Sequence, residues 1–148
     1  MIEFTIPGDP KRKERPQTRV IKTKNGKYTA QVYTPSQTKE NEKLIRTAYV
    51  LQCGGAKVEQ GVPCAVHIRA GYPIPKSRPK REKELMTAGK LLPLVKPDVD
   101  NVAKVILDAL NGVAYEDDSQ VVMLTISKTY MEFPETTVII QEMRGDRR

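Results

Sequence analysis

The stretch that decides the fold is KPDVDNVAKVILDALNGVAYEDDSQ, residues 96–120. Its apolar residues recur at helical spacing and predict a helix over about Val99–Leu110 with one buried face. The loop NGVAYE follows, and the chain then enters a strand at about residue 120. The buried face consists of Val102, Ile106 and Ala109.

Acidic residues are concentrated at both ends of this stretch. Asp98 and Asp100 stand where the helix begins, a position that favours negative charge and side-chain caps, although capping needs only one of them. Asp117 and Asp118 stand where the next strand begins, and we expect this second pair to fold back beside the helix start. A polar stripe, separate from the buried face, runs along the helix through Asp100, Lys104 and Asp108.

Carboxylates gathered in one place repel each other unless a hard divalent cation neutralises them. The sequence therefore suggests a Mg²⁺ site with Asp98, Asp100 and Asp118 as oxygen ligands. Asp108 lies about 12 Å along the helix from Asp100, too far to share the ion. An EF-hand is excluded, because apolar residues stand where that loop needs an oxygen ligand and a glycine. The alternative is a capped helix with an Asp100–Lys104 pair worth about 0.3–0.5 kcal/mol and an acidic turn.

The rest of the chain predicts one α+β domain over residues 1–148, a mixed sheet flanked by helices, with residues 144–148 as a frayed tail. Asn25-Gly26 is a strong hairpin signal. Thr34-Pro35 is typical of a helix start, with Thr34 as the cap. The predicted elements are a strand Ile2–Pro7, a hairpin within 18–34, a helix to about Cys53, a strand Cys64–Ala70, a short helix of about 79–88, and strands of about 120–130 and 136–142. In the first helix, the predicted core face is Leu44, Ile45, Ala48 and Leu51.

Charge is the main indication of a partner. The 148 residues carry a net charge of +7. Residues 11–46 hold 11 basic and 3 acidic side chains, residues 66–96 hold 8 and 2, and residues 98–120 hold 1 and 6. Two basic segments around one acidic cluster favour a polyanion such as DNA, although either basic segment alone could be a solvated face.

Composition excludes several classes of protein. The two cysteines are too few for a disulfide framework, the first residues lack the features of a signal peptide, and apolar runs are far shorter than the roughly 20 residues of a membrane span. A cytoplasmic protein is expected. The single histidine, His67, has no base or ligand partner at useful spacing, and no phosphate-binding glycine motif is present.

The run D-x-D-N-x-x-K-x-x-x-D-A-L, followed by D-D-x-Q, resembles the RusA family of Holliday-junction resolvases of bacteria and their prophages. The resemblance implies a RusA-like fold and a Mg²⁺-dependent, homodimeric endodeoxyribonuclease that cuts four-way DNA junctions by paired nicks in recombination and repair. It also implies catalytic roles for Asp98, Asp100, Lys104 and Asp118, with Asp117 as a neighbouring candidate. The basic N-terminal loop resembles the family's DNA-contacting loop, through Lys11, Arg12, Lys13 and Arg15.

A homodimer is expected because a four-way junction has two symmetric scissile phosphates, which require two active sites related by a two-fold axis. Two alternatives remain open at this point. One is a nuclease for flaps or other branched DNA, and the other is a non-catalytic DNA-binding protein whose acidic cluster is structural.

Overall fold

The structure, a computed structural model, describes residues 1–14, 17–33 and 35–144. It confirms the α+β class, with a mixed sheet and three helices. Thr34, the predicted helix cap, and residues 145–148 of the predicted tail lie outside the described residues, whereas Arg144 forms ion pairs with Glu59 and Glu142. The elements are β1 Ile2–Pro7, β2 Gln17–Lys22, β3 Tyr28–Tyr33, α1 Ser36–Cys53, β4 Cys64–Pro73, α2 Lys80–Thr87, α3 Val99–Leu110, β5 Val121–Met131 and β6 Glu135–Glu142, with a 3-10 turn at Asp118–Gln120.

Four strands form the main sheet in the order β1-β6-β4-β5. The β4–β5 pair is parallel, from Cys64 opposite Val121 to Pro73 opposite Met131, and the other two pairs are antiparallel. Strands β2 and β3 form a separate antiparallel hairpin. No helix in the described ranges is long and apolar enough to cross a membrane.

Helices α1 and α3 cover the sheet and bury its apolar side chains. The predicted stripe of α3 is confirmed, because Val102, Ile106 and Ala109 are all buried. The prediction for α1 is wrong in part: Ile45 and Ala48 are buried, but Leu44 and Leu51 are exposed. The helix is rotated so that Tyr49 faces the core, where its ring meets Phe4 of β1 edge to face at 5.2 Å.

The direction of α3 decides where the acidic residues lie. Because α3 connects two parallel strands, it must run back across the sheet, antiparallel to both. The Tyr72 hydroxyl, near the end of β4, donates to the carbonyl of Pro97 just before α3. The Tyr115 hydroxyl, just before β5, donates to the Leu107 carbonyl at 2.7 Å. The start of α3 therefore lies at the carboxyl ends of β4 and β5, and its end lies at their amino ends.

Gly71 is the point in β4 where the backbone leaves least room. A Cβ there would lie 2.5 Å from the Glu135 carbonyl oxygen and would also clash with the Met131 sulfur. We predict that Gly71→Ala destabilises the protein by about 1–3 kcal/mol, because backbone must shift to admit the methyl group. Gly55→Ala is the control, since nothing lies within 4 Å of its Cβ position. Urea unfolding measures both, and equal stability of the two variants would contradict the prediction.

Candidate active site

Asp98 occupies the N-cap position of α3 but does not cap it. Its side chain accepts no hydrogen bond from the helix backbone. It instead accepts a 2.8 Å hydrogen bond from Lys96 Nζ, and this bond is the main reason that the pKa of Asp98 lies below its ordinary value. Asp100, in the first turn of α3, is exposed. Helix capping therefore does not explain why two carboxylates stand here.

Asp117 has a structural role that its neighbour lacks. Its side chain accepts a 3.1 Å hydrogen bond from the Ser119 backbone N–H, and the Gln120 side chain accepts from the Asp117 N–H, which forms a capping box. Hydrogen bonds from Ser119 lower the pKa of Asp117. Asp118 is exposed and forms no ion pair with the described residues. Of the two, Asp118 is the carboxylate available for another partner.

The expectation that Asp118 folds back beside Asp98 and Asp100 is wrong within one chain. Asp118 lies in the 3-10 turn just before β5, and the Tyr115 hydroxyl, three residues earlier, donates to Leu107 near the far end of α3. The 12 residues of α3 span about 18 Å. Within the described ranges, no three His, Cys, Asp or Glu side chains lie close enough together to hold one metal ion. One chain thus has two of the three predicted ligands, Asp98 and Asp100, at the start of α3, and the third, Asp118, lies elsewhere.

Lys104 lies on α3 one turn after Asp100 and is exposed. The helical rise separates the two residues by about 6 Å along the axis. Because its ammonium forms no ion pair with the part of the chain described, it is available to a phosphate. The catalytic role of Lys104 stays a prediction.

Asp108, which we placed outside the metal set, anchors the N-terminal loop. Its carboxylate accepts a short hydrogen bond from Lys13 Nζ, and Glu42 of α1 lies 3.6 Å from the same ammonium. The Lys13 backbone N–H also donates to the Asn101 carbonyl at 3.1 Å. Lys13 is thus engaged by carboxylates, although the sequence predicts that it contacts DNA.

Two further bonds hold this loop against α1. Asn41 Nδ2 donates to the Arg12 carbonyl at 3.2 Å, and the Glu14 backbone N–H donates to Thr38 Oγ1 at 3.0 Å. Asn41 and Thr38 are both buried. The loop is therefore fixed between α1 and α3, with the Arg12 side chain exposed. Arg15, the fourth predicted DNA contact, lies outside the described residues.

A cleft of about 670 Å³ lies at the carboxyl end of β4, and its lining includes Lys96 and Pro97, the two residues before Asp98. Two predicted DNA contacts, Lys11 and Arg12, also line it. Arg78 and Lys96 add two further cations, which come from the second basic segment of the sequence and were not predicted as site residues. The charge of that segment was the available signal, but nothing in the sequence indicates that the two basic segments meet. Besides these four cations, the lining is completed by ten residues: Asp9, Pro10, Gln37, Asn41, Tyr72, Pro73, Pro75, Val95, Pro97 and Tyr130.

Lys128 of β5 is a further cation near Asp98 that was not predicted from the sequence. Its ammonium lies 4.8 Å from the centroid of the Tyr72 ring and donates to the Val95 carbonyl at 2.6 Å. Its charge also contributes, after Lys96, to lowering the pKa of Asp98. Two lysines therefore keep the Asp98 carboxylate ionised.

His67 and the cysteines offer no competing catalytic site. His67 Nδ1 shares a 2.6 Å hydrogen bond with Thr125 Oγ1 of the adjacent strand. Burial raises the pKa of both Cys53 and Cys64, which disfavours the nucleophilic thiolate. The chemistry of the described surface is therefore that of carboxylates beside a basic cleft.

Two comparisons with known proteins bear on this site. The family model described as "Endodeoxyribonuclease RusA" matches residues 7–141, nearly the whole chain. The uncharacterized protein YqaN of Bacillus subtilis (strain 168) is 36% identical over 144 residues, which cover 96% of each protein. The matched range contains every predicted site residue, and the resemblance to the RusA family is confirmed.

The role of Lys13 as an anchor can be tested by stability. We expect Lys13→Gln to lower the free energy of unfolding by about 1 kcal/mol at pH 7, because it leaves Asp108 without its cation and Glu42 with Arg46 alone. Lys11→Gln is the control, since Lys11 forms no ion pair with any described residue. Urea unfolding provides the measurement.

The pH dependence of the same variant gives a second readout. The hydrogen bond that Lys13 donates to Asp108 is the largest cause that raises the pKa of Lys13 above 10.5. A raised pKa contributes stability that is fully present below 10.5 and is lost as the pH rises through the folded-state value. The difference between wild type and Lys13→Gln should therefore persist from pH 7 to 9 and shrink above pH 10.5. A difference that grows in alkali would contradict the assignment.

Proposed function

This chain belongs to the RusA endodeoxyribonuclease family, and on that premise we propose that it resolves four-way DNA junctions by paired symmetric nicks in recombination and repair. The observation that carries the proposal is that Lys96, which lines a cleft together with cations of the other basic segment, also donates to Asp98, two residues before Asp100. RusA resolvases act on branched DNA and are metal-dependent nucleases.

The cleft supports the DNA part of the proposal. Lys11, Arg12, Arg78 and Lys96 surround it, and cations of this kind neutralise phosphates without reading base sequence. Tyr72 and Tyr130 add aromatic surface between the charges. Because Lys96 Nζ lies 2.8 Å from Asp98 Oδ2, a phosphate held by Lys96 would lie close to this carboxylate.

Mg²⁺ is the proposed metal, because carboxylate oxygens are its usual protein ligands. Asp98 and Asp100 would hold it, and when bound it would supply a polarised water and a charge that offsets the scissile phosphate. Lys104 would stabilise the negative charge that develops in the transition state. Lys96 and Lys128 would keep Asp98 in the ionised form that a metal requires.

The third proposed ligand, Asp118, would come from a second copy of the chain. Strand β5 is an edge strand of the sheet, and the side chains of Val122, Met123 and Leu124 are exposed on it. A long apolar edge strand is an unstable surface unless another strand covers it. Antiparallel pairing of β5 with β5 of a second copy would cover this edge and form a homodimer.

This pairing would also complete the site. In a symmetric antiparallel pair, the start of one strand lies beside the end of the other. Asp118 of the partner subunit, just before its β5, would therefore approach the end of β5 where Asp98 and Asp100 lie. The dimer would contain two such sites related by a two-fold axis, which paired nicking requires.

A non-catalytic DNA-binding protein is the alternative that one observation favours, namely that the described residues of a single chain hold no three-ligand metal group. The test is nicking of synthetic four-way, flap and linear DNA with and without Mg²⁺. Cutting of the four-way junction supports the proposal. Preference for flaps indicates the branched-DNA nuclease, and binding without cutting indicates the non-catalytic protein.

Site variants should separate cutting from binding. We expect Asp100→Asn to keep junction affinity equal or higher, because a negative charge near phosphate is removed, while the single-turnover nicking rate falls by orders of magnitude. Lys104→Ala should lower the nicking rate by about a hundred-fold or more and keep metal binding. Glu84→Gln, at an exposed carboxylate of α2, is the control and should cut at the wild-type rate. Rapid cutting by folded Asp100→Asn would refute the proposed site.

Mixing two inactive variants tests the shared site. Asp100→Asn and Asp118→Asn homodimers should each fail to cut. In a mixed dimer, one site receives the intact Asp98 and Asp100 of one subunit and the intact Asp118 of the other, so single nicks should reappear without paired cuts. If each chain supplied its own three ligands, both sites of the mixed dimer would stay inactive, and the mixture would not cut.

A further inference from the structure

The hairpin β2–β3 contributes no residue to the lining of the basic cleft. All residues of its two strands are exposed except Tyr33, which is half-buried. Val20 and Tyr28 are each 72% exposed and Val32 is 69% exposed. A two-stranded hairpin alone in water is marginally stable at best, so a hairpin exposed on both faces is expected to have a partner.

The charge of the hairpin indicates the chemistry of that partner. Residues 17–33 contain four basic side chains, Arg19, Lys22, Lys24 and Lys27, and no acidic one. None of these four forms an ion pair within the described part of the protein. Four cations without an ion-pair partner in the described residues would attract a row of phosphates. They would repel a second copy of this chain, which is itself basic.

The shape of the hairpin is well defined by its own contacts. Arg19 Nε donates to Gln31 Oε1 at 2.9 Å, and the Arg19 guanidinium lies 4.9 Å from the centroid of the Tyr33 ring. At the tip, the Thr23 N–H donates to the Lys27 carbonyl at 2.7 Å, and Gly26 adopts a φ of 77°, which favours glycine. The three lysines of the hairpin, Lys22, Lys24 and Lys27, are therefore held at the end of a ribbon whose strands are about 20 Å long.

The base of the hairpin is tied to the basic cleft. Glu14, three residues before β2, is bonded to Thr38 of α1, and Ser36 begins α1 three residues after Tyr33. Three residues span at most about 10 Å. The neighbours Arg12 and Gln37 both line the cleft. The cations of the hairpin thus continue the basic surface that begins at the cleft.

We propose that the β2–β3 hairpin is a DNA-binding arm that holds the phosphates of one duplex arm of the substrate while the cleft holds the strand to be cut. The proposal rests on the proposed function. A two-stranded ribbon fits the major groove, which is about 12 Å wide. Lys22, Lys24 and Lys27 would neutralise phosphates, and Val20 and Tyr28 would contact the apolar surface of the groove.

The test is a triple variant of the tip, Lys22→Gln, Lys24→Gln and Lys27→Gln. Its control is Lys43→Gln, Lys57→Gln and Lys90→Gln, the same loss of charge at three exposed lysines on other surfaces. Affinity for a four-way junction is measured in EDTA over a series of salt concentrations. The tip variant should bind about ten-fold more weakly or worse and lower the salt slope by about two to three units, while the control keeps the wild-type slope. Circular dichroism confirms that both are folded.

The outcomes separate this proposal from the proposed function. Wild-type protein that binds DNA but never cuts it would overturn the junction-nuclease proposal and leave the arm to be judged by the salt slope. An unchanged slope in the tip variant would overturn the arm. Dissociation of the dimer by Tyr28→Ala in sedimentation, with unchanged DNA affinity per dimer, would assign the hairpin to a second copy and also overturn the arm.

Discussion

The parallel pairing of β4 with β5 is the constraint on which the rest of the structure depends. Two parallel neighbours cannot be joined by a short turn, so the chain must cross back over the sheet, and α3 makes that crossing. The helix begins where both strands end. As a result, the acidic residues before α3 and those before β5 lie at opposite ends of the sheet, even though they are close in sequence.

Ion pairs between distant parts of the chain then assemble the basic side of the cleft. The Lys13 ammonium links the N-terminal loop to Glu42 of α1 and Asp108 of α3. This arrangement uses one cation of the basic loop for structure and leaves its neighbours Lys11 and Arg12 to line the cleft. The same division of roles occurs between Asp117, which caps a turn, and Asp118, which does not. In both places, adjacent residues of like charge serve different purposes.

The sequence predicted most elements of the fold because their signals are local: the period of α3, the Asn-Gly turn, and the alternation in β4. It failed where a tertiary contact decides. Leu44 and Leu51 have the spacing of a core face, but Tyr49 occupies the core in their place, since Phe4 of β1 packs against the tyrosine ring. Asp118 was predicted beside Asp98 because sequence spacing does not reveal which way a helix crosses a sheet. The hydrogen bond that Lys13 donates to Asp108, 95 residues away in sequence, could likewise not be predicted.

The strand order β1-β6-β4-β5 has a consequence for how the chain is made. Of the four strands of this sheet, β6 leaves the ribosome after the other three, yet it lies between β1 and β4 and pairs with both. Until residue 142 has emerged, β1 has no strand to pair with, and β4 is covered on one edge only. A growing chain can therefore form α1, α3 and the β2–β3 hairpin early, but the four-stranded sheet forms only after residue 142 has emerged. A nascent chain thus exposes sheet edges until β6 pairs with β1 and β4, although both of its basic segments have been synthesised before that point.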